Sequence, residues 1–303
     1  MINTTLKLSL LHSIYESSDV MSLLLLSDGR VASCTSEGMI MVYSKKEFTA
    51  DIIKENAHDG KCINYLAQLP STNLVSCGED CSIQIWKINK DTLDNIKTIT
   101  LHKNIVFKVI PLSLNRFASC SNDNSIIIFS DKEPYDKVAM INLYTNWVYS
   151  IIELKEKNLL ASGSDDKDLR FWDLERYELK CCLKDIDCCD SHAMLDIPEK
   201  DKLIVGGSNV ITVINTKTLQ LEKSVYNDEL NVISSLIWFN NALICVCGDQ
   251  IEKGDVFVLD SNNYTTIKKK EGIHFSFAYC AILLENNVLV TCGGDKKIKF
   301  WSL

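Results

Sequence analysis

Short runs of alternating apolar and polar residues dominate the chain. "SIQIW" (82–86) and "LRFW" (169–172) show it most clearly, with the two-residue period of a strand whose faces differ. Each run follows a second apolar run, and Gly, Asp or Asn lies between them. A tight turn between paired strands needs those residue types. No ten-residue segment carries a helical stripe, so the pattern predicts an all-β chain of many short strands.

The alternation is periodic. "VASCTSEGMIMVY" (31–43), "LVSCGEDCSIQIW" (74–86), "FASCSNDNSIIIF" (117–129), "LASGSDDKDLRFW" (160–172) and "LVTCGGDKKIKFW" (289–301) align without gaps. Their last residues Tyr43, Trp86, Phe129 and Trp172 are 43 residues apart, and Trp301 lies three such periods beyond Trp172. Two weaker copies, "LIVGGSNVITVI" (203–214) and "LICVCGDQIEKGDVFVL" (243–259), fill the gap. Seven copies therefore account for the chain, and four short strands fit each period. With four prolines and no low-complexity linker, residues 1–303 read as one domain.

The pattern resembles the WD-repeat family, whose units form the four-stranded blades of a β-propeller. The name-giving dipeptide occurs once in these copies, at Trp172–Asp173. The resemblance implies a seven-bladed propeller with blades near 12–55, 56–100, 101–143, 144–185, 186–227, 228–270 and 271–303 plus 1–11. The last copy ends after its third strand, so "NTTLKLSL" (3–10) is expected to supply the fourth and close the ring. Closure removes edges that would otherwise pair with other chains.

Composition narrows the function classes. Net charge is −8 and the pI is near 5.2, a field that disfavours nucleic acid and anionic membranes. The compact basic run Lys268–Lys270 is followed at once by Glu271 and reads as a solvated strand edge. No apolar run is long enough to cross a bilayer. The N-terminus lacks the apolar block of a signal peptide. Thirteen cysteines, an odd count, fit free thiols in a reducing compartment. A cytoplasmic protein is expected, with a nuclear one also compatible.

Several residue types recur in columns. Cys34, Cys77, Cys120, Gly163 and Cys292 form one. A metal site needs ligands that converge, whereas a residue repeated once per copy is spread over the molecule, so this column reads as small buried packing residues. Ser33, Ser76, Ser119, Ser162 and Thr291 precede it; Glu37, Asp80, Asp123, Asp166 and Asp295 sit in the following turn; His12, His58, His102 and His274 fall at junctions. His58, Ser76 and Asp80 have the composition of a nucleophilic triad, but an active site is needed once and this set repeats. The family resemblance implies instead a structural hydrogen-bond network. Its complete sets would be His58–Ser76–Asp80–Trp86 and His274–Thr291–Asp295–Trp301. A second cluster, Cys181, Cys182, Cys188, Cys189 and His192, has zinc-ligand chemistry. Adjacent strand residues point to opposite faces, so free thiols are the simpler reading and no metal or cofactor is expected.

The resemblance implies that partners dock on residues at the start of each first strand and just before each turn acid. These are Asp19, Met21, Lys61, Ile63, Glu79, Ile105, Phe107, Trp147, Tyr149, Asp165, Asp190, His192, Phe277 and Tyr279. Aromatic residues of this kind anchor interfaces. The expected function is a non-catalytic protein-interaction scaffold, a monomer on its own, that binds proteins or peptides and neither nucleic acid nor membrane. One alternative is a reader of a basic or methylated peptide; another, from a different class, is a channel-centred enzyme.

Overall fold

In the computed structural model, residues 8–45, 47–186, 193–248 and 253–303 are described. They form seven four-stranded antiparallel sheets, the blades of a seven-bladed β-propeller. Six are simple meanders in chain order: sheet 1 over residues 20–54, sheet 2 over 63–99, sheet 3 over 106–141, sheet 4 over 148–183, sheet 5 over 194–226 and sheet 6 over 232–274. Sheet 7 takes three strands from residues 278–302 and its fourth from Ser9–Tyr15. By packing, the chain falls into two compact units, one spanning Leu24–Asp185 and the other made from the described residues on either side of it.

Burial explains the strand composition. The second strands are almost wholly buried, and Leu74–Gly78 and Leu159–Ser164 are buried at every position. Covered on both faces, they cannot alternate and instead read as apolar runs with small polar residues. The fourth strands have one free edge and are mostly exposed or half-buried, as in Gln220–Tyr226. Apolar cores lie between consecutive sheets within each unit. Phe117, Phe129 and Val109 of sheet 3 pack with Val75 and Ile85 of sheet 2. In the other unit, Phe257 and Leu243 of sheet 6 pack with Ile204 and Val213 of sheet 5. Glycine is required where backbones meet: a Cβ on Gly78 would lie 2.2 Å from the Cys62 carbonyl oxygen.

The strand that completes sheet 7 differs from the expected segment. It begins at Ser9, and residues 3–7 of the expected 3–10 lie outside the described residues. His12 is not at a junction. It sits inside this strand opposite Phe300, its ring 5.8 Å from that of Phe300. The sequence pattern misplaces the strand because its exposed leucines, Leu10 and Leu11, carry no outward polar alternation.

Candidate interaction surface and its structural support

The repeated polar network is built first, because it holds the loops in place. In sheet 2 the Trp86 indole N–H donates to Ser76 Oγ at 2.8 Å. Ser76 Oγ lies 2.7 Å from His58 Nε2, and His58 Nδ1 lies 2.7 Å from Asp80 Oδ1. Since the serine oxygen accepts from the indole, its own proton goes to Nε2. The imidazole is then neutral and donates through Nδ1 to the carboxylate. Sheet 7 repeats the chain: Trp301 to Thr291 at 3.0 Å, Thr291 to His274 at 2.8 Å, His274 to Asp295 at 2.6 Å. In sheet 3, His102 bridges Ser119 and Asp123 at 2.7 and 2.9 Å. Phe129, with no donor to give, stacks on Phe117 at 4.8 Å.

This geometry resembles a catalytic triad and cannot act as one. Ser76, His58 and Thr291 have no exposed surface, so the hydroxyl meets no substrate, and its lone pair is occupied by the indole. The network's work is electrostatic and mechanical. Burial pushes the Asp80 carboxyl up, but hydrogen bonds from His58 and Ser82 outweigh it and hold it at about 2. Asp295 is likewise held at about 2 against burial, by His274 and Lys299. Burial lowers the His274 imidazole in spite of Asp295, which keeps it neutral. Cys77 and Cys120 of the column are inert for the same reason: burial raises the Cys77 thiol and takes Cys120 to about 12.

Two supports were not visible as motifs. Sheet 4 has no junction histidine, and the Tyr144 hydroxyl takes its place, 2.6 Å from Ser162 Oγ, which also accepts from Trp172 at 2.8 Å. The second is the residue four after the turn acid. Arg170 reaches Asp166 at 2.9 Å and Lys299 reaches Asp295 at 3.1 Å, while Gln84 makes a longer contact to Asp80 at 3.4 Å. The spacing is constant, but the residue type changes from Gln to Arg to Lys, so a search for identical residues misses it.

The turns fixed in this way carry the predicted contact residues. In four sheets the residue before the turn acid donates its backbone N–H to the carbonyl at the head of the first strand: Glu79 to Cys62, Asn122 to Ile105, Asp165 to Trp147 and Gly294 to Phe277, each at 2.9 Å. Two residues further on, each first strand has a bulge, which leaves Asn64, Phe107, Tyr149 and Tyr279 outside the ladder. A bulge re-aims a side chain, and three of these four are aromatic.

The same alignment corrects sheet 2. The equivalents of Ile105 and Phe107 are Cys62 and Asn64, one residue away from the expected Lys61 and Ile63. A slip of one residue moves a strand position to the opposite face. Ile63 accordingly has no exposed surface and is not a contact residue, whereas Lys61 and Glu79 are exposed. Asp19, Met21, Ile105, Asp165, Phe277 and Tyr279 are half-buried. Asp190 and His192 lie outside the described residues, as do Cys188 and Cys189. Among the described residues, no group of three or more His, Cys, Asp and Glu side chains is placed to hold a metal ion.

Phe107, Trp147 and Tyr149 come together within one compact unit. Their ring centroids are 4.9 Å apart for Phe107–Tyr149, 5.9 Å for Trp147–Tyr149 and 6.4 Å for Phe107–Trp147. Trp147 keeps 42% of its surface exposed. Asn146 holds the loop by donating to Asp165 at 2.5 Å and accepting from the Trp147 N–H at 3.0 Å. In the other unit, Phe277 and Tyr279 form a pair at 5.1 Å, and Phe277 lies flush on the backbone of Gly248.

The family model for the WD domain, G-beta repeat matches residues 51–87 and 138–173. Each segment begins in the fourth strand of one sheet and ends with the third strand of the next, so it includes the junction residue, His58 or Tyr144, and the tryptophan, Trp86 or Trp172. Both segments are WD repeats. No curated protein matches it significantly in sequence. WD-repeat propellers typically mediate protein interactions and are generally non-catalytic. No helix among the described residues is long and apolar enough to cross a membrane.

Proposed function

We propose that this WD-repeat protein is a non-catalytic scaffold within an intracellular multiprotein assembly. Its main anchor is the Phe107–Trp147–Tyr149 cluster. The observation that carries the reading is a partly exposed tryptophan braced by two further rings on a loop pinned by the Asn146–Asp165 bond. Pre-organised aromatics of this kind bind with little loss of side-chain entropy. The three rings lie against one another, with centroids 4.9–6.4 Å apart. This supports a protein-surface anchor over the basic or methylated-peptide reader. The odd number of cysteines in the sequence, thirteen, fits a reducing compartment and supports a cytoplasmic location.

The test is co-purification from the native source with a Trp147→Ala, Tyr149→Ala double variant. Lys155→Ala, Glu156→Ala serves as the exposed control. The double variant should remain folded and lose its principal partners by about thirtyfold or more in affinity, the loss expected for a hot spot of about 2 kcal/mol. A folded double variant that retains every partner rejects the assignment.

A further inference from the structure

A second surface lies on sheet 7, apart from the Trp147 cluster in sequence and chemistry. Phe275 and Tyr15 are the two most exposed aromatic side chains among the described residues, at 73% and 71%. Lys297 lies between them, its Nζ 5.8 Å from the Phe275 ring centroid and 6.0 Å from that of Tyr15. The arrangement follows from register. Tyr15 pairs directly with Lys297 across the ladder, and Ser13 with Lys299, so these four side chains share one face. Lys299 also approaches Phe275, at 5.4 Å, but its charge is matched by Asp295 at 3.1 Å. Lys297 makes no ion pair among the described residues. The neighbouring Lys296 spends its ammonium on the Ser17 carbonyl at 3.0 Å.

A chain of net charge −8 thus displays a local excess of positive charge framed by two exposed rings. Exposed apolar surface rimmed by polar groups marks interaction sites, and here Phe275 and Tyr15 lie on either side of Lys297. The lysine fixes the sign of the partner. An extended polyanion, such as nucleic acid or an anionic bilayer, would meet the repulsive field of the whole molecule. A short peptide segment meets only the local charge. We infer that the Phe275–Lys297–Tyr15 face docks an acidic peptide segment of a partner protein. A carboxylate of that segment pairs with Lys297 and an adjacent apolar side chain packs on Phe275 and Tyr15. The pairing gains from the rings, because the aromatic faces already hold the ammonium in position.

The probe is a fluorescein-labelled peptide in which Glu alternates with Leu and Phe. Its partners in the assay are the Gln-for-Glu and Lys-for-Glu versions, a single-stranded oligonucleotide and anionic vesicles. Fluorescence anisotropy should show binding of the Glu peptide alone, weaker as salt rises. Lys297→Glu and Phe275→Ala should each weaken it by about tenfold or more. Both side chains are off the core, so circular dichroism melts of these variants should match the parent. Lys297→Arg should retain binding. Trp147→Ala should also retain it, which separates this surface from the scaffold anchor. Equal binding of the Gln peptide, unchanged binding in both variants, preference for the oligonucleotide or vesicles, or no binding of the Glu peptide would each overturn the inference.

Discussion

Replacing Trp86 separates packing from hydrogen bonding in the network. The side chain is 1% exposed and its indole N–H donates to Ser76 at 2.8 Å. Truncation to alanine removes a buried aromatic, which costs about 3–5 kcal/mol including the cavity. Trp86→Phe keeps most of the volume and deletes the donor. Ser76 still has His58 as its acceptor, so no buried donor is orphaned, and the loss should be near the net worth of one hydrogen bond, about 0.5–1.5 kcal/mol, plus a small packing deficit. Sheet 3 already shows that the arrangement tolerates phenylalanine, with Phe129 beside an intact His102–Ser119 contact. Trp147→Ala, at a position 42% exposed, should cost less than about 1 kcal/mol. Urea denaturation followed by circular dichroism gives the ranking through the midpoints. With two compact units, the relevant transition is that of Leu24–Asp185, which contains Trp86. Equal losses for the alanine and phenylalanine variants would refute the division into packing and bonding. Equal losses at Trp86 and Trp147 would refute the assignment of one to the core and the other to the surface.

Deleting residues 1–15 strips the fourth strand from sheet 7 and exposes the ladder edge of Lys297–Ser302; light scattering should show aggregation, and an unaltered monomer with the parent melting temperature would contradict the pairing. Acid should destabilise the protein in two stages. His274, lowered from 6.5, favours its neutral form in the folded state, so its contribution begins to fall as pH drops below 6.5. Asp80 and Asp295, lowered from 3.8 to about 2, contribute fully above the unfolded value, and that stability is lost as pH falls from 3.8 towards 2. Urea midpoints that stay constant across both windows would show that the network carries no such linkage.

The sequence makes the architecture legible because five of the seven sheets share one core solution: small residues in the second strand, an acid in the turn and a large ring at the end of the third. Their 43-residue spacing is visible without any contact information. What it conceals is substitution of one chemistry by another. Tyr144 replaces a histidine because Ser162 needs only a polar atom at that point, and a phenol satisfies it as well as an imidazole. Lys61 and Ile63 were one residue out of register because the stretch before Leu74 has no gap-free anchor; only the carbonyl of Cys62, bonded to Glu79, identifies the head of that strand. The strand Ser9–Tyr15 is concealed for another reason. Its exposed leucines and tyrosine oppose the usual polar-outward pattern of an edge, and the same anomaly marks the surface beside Lys297.

Hydroxyl-radical footprinting of the complex tests the scaffold reading most directly. In the free protein, Trp147 and Tyr149 should be oxidised readily, while the buried Trp86 and Trp172 should react slowly. On addition of the co-purified partner, the account predicts strong protection of Trp147 and Tyr149 with little change at Trp86 and Trp172. A bound partner that leaves Trp147 and Tyr149 as reactive as before would contradict it.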